Sequence, residues 1–186
     1  MVNSSLPFVF EPSNQWLGND GWWSAFTIKI GTPPQEFHIL PATNTQETWV
    51  PVSQACSSYN ISDCPQQRGV SKSSSGFNSN RSSTWEKEGI YNLVSEAWLG
   101  YVGNGDYGFD TVELGDSIRG SVKVEHQVIA GIVEEDFWVG LFGLGPKPAN
   151  FSGFNDPQPS FMRSLVDQNL IPSLSYGYTA GARYRK

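Results

Sequence analysis

Residues 31–51, GTPPQEFHILPATNTQETWVP, decide how this chain folds, and the segments on either side of them fit the same interpretation. Residues 22–30 alternate apolar and polar side chains, as a strand with one buried face does. Gly31 and the two prolines that follow Thr32 end that strand, and residues 36–40 form the second strand of a predicted hairpin. The stretch therefore belongs to a β-sheet rather than to a helix.

Candidate strands recur along the chain, and helical periodicity is scarce before residue 160. Gly and Ser punctuation separates the further strands expected at residues 47–51, 90–99, 107–114, 120–132, 138–144 and 173–178. A long polar loop is expected at residues 53–83. Residues 161–170 instead have apolar side chains at helical spacing, with Ser160 as N-cap and Pro172 beyond the end. The pattern predicts a mainly β domain with short helices.

Composition limits the classes of protein to consider. The chain has 186 residues, 38% hydrophobic and 16% charged, with a net charge of −6. A chain of this length buries roughly 70% of its unfolded surface, which is enough for one globular domain. Nucleic acid and anionic membranes require a basic face to neutralise phosphates, and there is no run of 18 apolar residues to cross a membrane. We therefore expect no nucleic-acid partner and no membrane insertion by this chain.

The two cysteines, Cys56 and Cys64, lie in the polar loop, eight positions apart. In an oxidising compartment such a pair closes a small ring. A zinc site would need two more ligands, and His38 and His126 have no metal-like spacing to each other or to the cysteines. The spacing favours a disulfide over a metal site.

Four asparagines begin Asn-x-Ser sequons and are candidate N-glycosylation sites: Asn3, Asn60, Asn80 and Asn150. Together with the cysteine pair they indicate a secreted, extracellular chain. The first residues have neither the basic nor the apolar region of a signal peptide, so we expect any such leader to be already absent.

Two common reaction classes do not fit the sequence. Serine nucleophiles need a base and often a Gly-x-Ser-x-Gly elbow, which this chain lacks. Residues 140–145, GLFGLG, match neither a phosphate-binding loop nor a dinucleotide fingerprint, and their glycines are expected to permit close backbone packing. No cofactor is predicted.

The stretch at 31–51 resembles the first active-site segment of the pepsin-like aspartic proteases, peptidase family A1. Its start matches Gly-Thr-Pro-Pro-Gln-x-Phe and its end matches Trp-Val-Pro, so the register needs no gap. In that register Ala42, Thr43 and Asn44 occupy the family's Asp-Thr-Gly positions. Pro41 removes a further backbone donor. Because Asn tolerates left-handed backbone geometry, we expect Asn44 to let the loop keep its shape.

The resemblance continues over residues 18–180. It includes the cysteine pair, which looks like the family's small disulfide loop, and segments 77–85, 108–112, 140–145 and 159–171. It implies an all-β lobe, the N-terminal half of a normally bilobal fold. Residues 1–17 are then an N-terminal extension and residues 181–186 a C-terminal tail or truncation point. Residues 173–185 look most like fungal secreted members.

The family covers its cleft with a hairpin that carries a tyrosine, called the flap. Here either Trp98 or Tyr101 aligns with that aromatic position, and Gly103 and Gly105 belong to the same glycine-rich tip. The tip forms either an aromatic lid over a ligand or a hairpin end whose aromatics pack on the sheet. The sequence leaves both alternatives open.

The resemblance also sets the functional expectation. The family's reaction uses two carboxylates, one from each lobe, that share a proton and hold a water. Ala42 has no ionisable group, no second Asp-Thr-Gly is present, and two-fold pairing would only bring Ala42 to Ala42. Glu47 is expected to be a solvated strand residue. We therefore expect an inactive lobe, not an enzyme, that binds a polypeptide, as an inhibitor-like module does, or its missing second lobe.

Two alternatives remain. The chain is part of an active aspartic endopeptidase whose second lobe lies beyond it, or it is a carbohydrate-binding module. The second alternative depends on tryptophans as stacking platforms: Trp16, Trp22, Trp23, Trp85 and Trp98. Alternation places Trp22 and Trp23 on opposite faces, so we expect core packing to account for part of this set.

Overall fold

A computed structural model of the protein describes residues 8–93, 102–116, 120–152 and 156–179. The strands in these residues are β1 (Pro12–Leu17), β2 (Trp23–Ile30), β3 (Gln35–Ala42), β4 (Thr48–Pro51), β5 (Glu86–Asn92), β6 (Asn104–Asp116), β7 (Gly120–Ile132) and β8 (Leu141–Gly143). The α-helices are α1 (Cys64–Gln67) and α2 (Phe161–Asp167), and short 3-10 helices span Ser53–Cys56 and Ser79–Arg81. The mainly β fold class expected from the sequence is confirmed.

All eight strands belong to one sheet that closes on itself. Its order is β1-β2-β3-β8-β4-β7-β6-β5, and β6 pairs back onto β2. The ring therefore consists of six strands in the order β2, β3, β8, β4, β7 and β6. The two remaining strands are added to it, β1 beside β2 and β5 beside β6. Closure leaves the ring without free edges, which is how many antiparallel β folds avoid unpaired backbone.

The predicted hairpin at the start of the domain is confirmed as β2 and β3. The strands are antiparallel, with Ile28 opposite Phe37, and Gly31 in the turn has φ of +88°, a conformation that favours glycine. Phe26, Ile28 and the other inward residues of β2 are buried, as the alternation predicts. The segment assigned to an N-terminal extension contributes its residues 12–17 to the same sheet as β1.

A buried carboxylate ties the hairpin turn to β6. Asp110 Oδ1 accepts hydrogen bonds from the hydroxyls of Ser82 and Thr84 and from the N–H of Thr111. Ser82 Oγ in turn accepts the N–H of Thr32 in the turn, at 3.0 Å. The 108–112 segment therefore has a structural role, because it holds the turn of the first hairpin against β6, the strand that closes the ring onto β2.

Two hydrophobic clusters fill the domain, and β4 lies between them. Its residues are buried on both faces, so Val50 packs in one cluster and Trp49 in the other. The first cluster includes Phe37, Phe142 and Phe161 from α2. The second includes Trp49 with Tyr107 of β6 and Ile132 of β7. Burial of such large aromatics supplies most of the apolar area that stabilises a chain of this size.

The polar loop at residues 53–83 is more ordered than the sequence indicates. It contains α1 and both 3-10 helices, and isolated bridges join Val70 to Phe37 and Phe77 to Val52. The predicted disulfide is present, with Cys56 bonded to Cys64. Short local turns and buried contacts therefore hold a loop whose composition alone indicates only solvent exposure.

Three strand predictions were wrong in extent or in kind. Residues 173–178 form no strand, although their side chains alternate. The strand expected at 90–99 instead runs over Glu86–Asn92, because its partner β6 is long enough to pair with that earlier stretch; residues 94–101 lie outside the described residues. The strand expected at 138–144 is limited to Leu141–Gly143, the residues that pair with β3.

The predicted helix is confirmed, together with its cap. Ser160 Oγ accepts the backbone N–H of Arg163 at 3.3 Å at the start of α2. The helix ends at Asp167, earlier than the expected residue 170, because Asn169 adopts φ of +57° and Leu170 N donates back to Leu165 O. This left-handed end is a usual helix stop.

We predict that removing the disulfide destabilises the lobe. The double variant Cys56→Ala/Cys64→Ala should lose about 2–3 kcal/mol of unfolding free energy, because the unfolded chain regains the freedom that the ring removes. Urea unfolding without reductant measures this difference. Adding reductant to the wild type should reproduce the loss and leave the variant unchanged. A variant as stable as the oxidised wild type would contradict the prediction.

Candidate functional site

Ala42 lies at the last position of β3, in the centre of the candidate site. It pairs with Gly143 of the parallel strand β8, and Leu144 N donates to Ala42 O at 2.8 Å. The methyl group is 9% exposed, whereas the next two residues, Thr43 and Asn44, are exposed. The degenerate Asp-Thr-Gly positions therefore form the exit of a strand and the start of an exposed turn.

Asn44 does not take the left-handed conformation that the sequence analysis allowed for it. It is not among the described non-glycine residues with positive φ, which are Asn14, His126 and Asn169. The turn after Ala42 is therefore built without glycine-like geometry at this position.

The glycine-rich segment packs directly against the turn that follows Ala42. A Cβ atom on Gly143 would collide with the backbone of Gln46 and Glu47, and one on Gly140 with that of Trp49. Gly145 approaches the next part of the same turn, where its N–H donates to Thr45 O at 2.8 Å. The expectation that these glycines permit close backbone packing is confirmed.

The burial of Glu47 differs from the exposure expected from the sequence. The sequence analysis predicted a solvated side chain, but Glu47 is 4% exposed and its carboxyl lies against the second hydrophobic cluster. Glu47 Oε2 accepts the hydroxyl of Tyr107 at 2.6 Å and the indole N–H of Trp49 at 3.1 Å. The prediction was wrong because the turn after Ala42 directs this side chain inward.

Burial governs the protonation of this carboxyl. Removal from water raises the pKa of Glu47, and the hydrogen bonds from Tyr107 and Trp49, which favour the charged form, offset part of that effect. Burial and the neighbouring Glu47 also raise the pKa of the Tyr107 hydroxyl, which therefore stays a donor. The carboxyl anchors the turn to β6, and Tyr107 and Trp49, which donate to it, both belong to the second hydrophobic cluster.

A groove begins beside Ala42. Its floor contains Leu40 and Pro41 of β3 with Leu141 of β8, and its volume is about 360 Å³. One wall is the segment 18–24 with Trp23, and the other is the segment 136–139 with Trp138. Apolar, polar and aromatic side chains therefore line one groove beside Ala42.

Arg68 holds the wall that contains Trp138. Its guanidinium is buried and donates to the carbonyl oxygens of Ala55, Val133, Glu134 and Phe137. It also lies over the Trp138 ring, 5.1 Å from the ring centroid. Burial lowers the pKa of Arg68, and the neighbouring tyrosine and carboxylates oppose that shift. Composition gave no signal for this role, since Arg68 lies in a polar loop.

The tryptophans proposed as stacking platforms do not share one environment. Trp22 and Trp23 are 62% and 54% exposed, so core packing does not account for either of them. Trp16 and Trp85 are half-buried, and Trp85 packs against Phe77. Trp23 and Trp138 both line the groove, whereas Trp85 does not.

Of the four flap candidates, Gly103 and Gly105 belong to the part of the chain that the structure describes. Trp98 and Tyr101 lie outside the described residues. Gly103 precedes β6, where a Cβ atom would collide with Glu134, and Gly105 is buried within β6 beside Leu93 and Ala130. Both Trp98 and Tyr101 stay candidates for the aromatic position.

The remaining candidate sites are placed as follows. Asn60, Asn80 and Asn150 are exposed, and Asn3 lies outside the described residues. In the described part of the chain, no three His, Cys, Asp or Glu side chains are grouped to hold a metal ion. Among those same residues, no helix has both the length and the apolar character needed to cross a membrane. Glycosylation stays a prediction.

Comparison with known proteins establishes the family. The family described as eukaryotic aspartyl protease matches residues 25–182, which is most of the chain. The protein therefore belongs to the pepsin-like aspartic proteases, and its closed β-sheet is one lobe of their fold.

Individual relatives come from several kingdoms. Pepsin B from Canis lupus familiaris is 29% identical over 95% of this chain, and the match covers 41% of that protein. Procardosin-B from Cynara cardunculus is 31% identical over 63% of this chain and 21% of its own length. Probable vacuolar protease A from Trichophyton verrucosum is 26% identical over 83% of this chain and 35% of its own length. The chain spans about two fifths of pepsin B and less of the other two.

Family membership corrects one expectation. The sequence analysis concluded from Ala42 and the missing lobe that the chain is not an enzyme. That assignment was wrong, because the family is one of endopeptidases and the relatives it matches include pepsins and a beta-secretase. One substituted position in one lobe does not define the class of the whole protein.

We predict that Glu47 makes the lobe less stable as pH rises. Its folded-state pKa is raised, so the folded protein holds this proton at pH values where the unfolded chain has released it. The contribution to stability is fully present below the unfolded pKa and is lost as pH rises through the folded pKa. Glu47→Gln, which cannot ionise, should remove this part of the pH dependence and be relatively more stable at neutral pH.

Urea unfolding from about pH 3 to about pH 7 measures the effect. The control is Glu88→Gln, which changes an exposed carboxyl on β5. If the Glu47→Gln and Glu88→Gln variants show the same pH profile as the wild type, burial does not control the protonation of Glu47.

Proposed function

We propose that this chain is the N-terminal lobe of an aspartic endopeptidase and that it supplies the polypeptide-binding half of the cleft. The groove beside Ala42 carries this proposal. Leu40 and Pro41 in its floor are continuous with the strand that leads to the family's catalytic position. A polypeptide that lies in the groove therefore passes the position where the family places its first carboxylate.

The groove walls favour binding of an extended chain. Trp23 and Trp138 offer aromatic surface, and aromatic residues contribute much of the affinity at binding surfaces. Arg68 holds the backbone of the Trp138 wall through several carbonyl oxygens, so that wall is organised before a ligand arrives. A preorganised wall reduces the entropy that binding would otherwise lose. An inhibitor-like polypeptide would use the same surface.

Catalysis is proposed to depend on the rest of the protein. Activation of water in this family requires two carboxylates that share a proton. Ala42 provides none, and Glu47 is hydrogen-bonded within the core instead. The polypeptide-binding role needs no ionisable group at position 42, whereas hydrolysis needs carboxylates supplied beyond this chain.

The cellular setting is also part of the proposal. Pepsin-like proteases are generally secreted or vacuolar, and the Cys56–Cys64 disulfide fits an oxidising compartment. We propose secretion, with N-glycans on the exposed Asn60, Asn80 and Asn150. The likeness of residues 173–185 to fungal secreted members supports a fungal type.

We predict that Trp23→Ala weakens polypeptide binding about tenfold, since truncating an aromatic anchor removes its contact area. Fluorescence anisotropy of a labelled, reduced and alkylated polypeptide titrated with the protein measures the dissociation constant. Trp23 is 54% exposed, so the variant should remain folded.

The matched control is Ile90→Ala. Ile90 is 69% exposed on β5 and does not line the groove. Loss of binding in both variants, or in neither, would show that the groove is not the binding surface. Circular dichroism confirms that each variant is folded.

We also predict that Ala42→Asp with Asn44→Gly increases peptide hydrolysis at acid pH only when a second lobe is present. The two changes restore the family's motif on this lobe, but the shared proton still requires a second carboxylate. Cleavage of a denatured protein, with and without pepstatin, measures activity for this chain alone and for the whole protein. Equal pepstatin-sensitive cleavage by the doubly substituted chain alone would contradict the two-carboxylate requirement.

A further inference from the structure

We propose that the cleft half carried by this chain selects polypeptide segments that contain lysine or arginine. The inference rests on the proposed polypeptide-binding function and adds the chemical class of the segment. Its basis is the combination of carboxylates and indole rings along one continuous groove.

The groove beside Ala42 continues into a second depression of about 640 Å³. The two share Gly18, Asn19 and Trp138 in their lining, so a bound chain can extend from one into the other. The second depression adds Trp16, Trp22 and Tyr59 to the aromatic surface. The two depressions together form one surface, the acidic groove.

Four exposed carboxylates line the acidic groove: Asp20 and Asp136 in its first part, Asp63 and Glu135 in its second. No lysine or arginine is among the described residues that line either part. Within the described chain, none of the four forms a salt bridge. No described cation at the surface of the groove therefore neutralises Asp20, Asp63 or Asp136, and their negative potential attracts a basic side chain.

One buried cation acts on the groove. Arg68 is fully buried and its two terminal nitrogens donate to backbone carbonyl oxygens, and among the four carboxylates its charge acts on Glu135. Its position over one side of Trp138 shows that the indole already accepts a guanidinium at 5.1 Å. A ligand cation would meet the exposed rings of the groove in the same way.

The carboxylates and the rings are placed to act together. Trp23 Nε1 donates to Asp20 Oδ1 at 2.9 Å, which fixes the ring beside the carboxylate. An ammonium or guanidinium group bound there contacts both a π face and a negative charge, two interactions that a neutral side chain cannot make. Trp22, 62% exposed, adds apolar surface for the long stem of such a side chain.

A neutral oligosaccharide is the competing ligand, because indole rings and carboxylates also bind sugars. The uniform negative charge of the groove favours a cation instead, since a neutral sugar gains nothing from the net charge. Salt distinguishes the two, because screening weakens binding of a charged segment far more than binding of a neutral one.

The test uses three labelled peptides of equal length and identical apolar residues, which carry lysine and arginine, glutamine, or glutamate at the same positions. Anisotropy titrations with the chain are made at low salt and at several-fold higher salt. We expect the basic peptide to bind about tenfold tighter than the glutamine peptide at low salt, and the glutamate peptide to bind weakest. The difference should shrink at high salt.

Variants locate the effect. Asp20→Asn/Asp136→Asn should remove most of the preference for the basic peptide, measured as the ratio of the dissociation constants of the basic and glutamine peptides. The matched control is Glu125→Gln/Asp156→Asn, which changes net charge equally at exposed positions away from the groove. The control should retain the full preference.

Each outcome is decisive. Equal binding of the basic and glutamine peptides would overturn the inference and leave the proposed function standing. A preference for the basic peptide that the groove variant and the control variant reduce to the same extent would also overturn the inference. If no peptide binds, the proposed function fails first, and with it the inference. Binding of a neutral oligosaccharide that Trp23→Ala abolishes, with no peptide binding, would identify a sugar site instead.

Discussion

The close approach of β8 and the glycine-rich segment to the backbone after Ala42 is the constraint on which the rest of the site depends. Gly140, Gly143 and Gly145 leave no room for side chains, so close backbone contacts hold the turn at residues 43–47, together with the hydrogen bonds of the buried Glu47 carboxyl. This contact places Ala42 at the strand exit, brings Leu141 into the groove floor, and sets Glu47 facing the core. The strand exit therefore keeps this close packing with an alanine at position 42.

The lobe carries a buried acid, but not at the family's catalytic position. Glu47 spans from the turn to Tyr107 on β6 and to Trp49 on β4, and burial raises its pKa. A buried acid that is neutral under acidic conditions loses little stability there, whereas its ionised form must be removed from water. The buried acid therefore favours the folded lobe more at acid pH than at neutral pH.

Much of the fold could be predicted because its signals are local. The β2–β3 hairpin follows from alternation and a turn, the Ser160 cap from a short motif, and the disulfide from two cysteines in one loop. The strand expected at residues 173–178 was wrong because alternation does not provide a partner for pairing. Glu47 was misplaced because the sequence does not show which way a turn directs a side chain. Arg68 was missed because its carbonyl partners come from two distant segments of the chain.

The sequence by itself determined the family, the register that places Ala42 at the catalytic position, and the glycines that permit close packing. These follow from residue types at fixed spacing, which sequence order preserves. Only the tertiary structure decided that β1 joins the sheet, that Glu47 is buried beside Tyr107, and that Trp23 and Trp138 line one groove with exposed carboxylates. These features join residues far apart in the chain, and closure of the sheet brings them together.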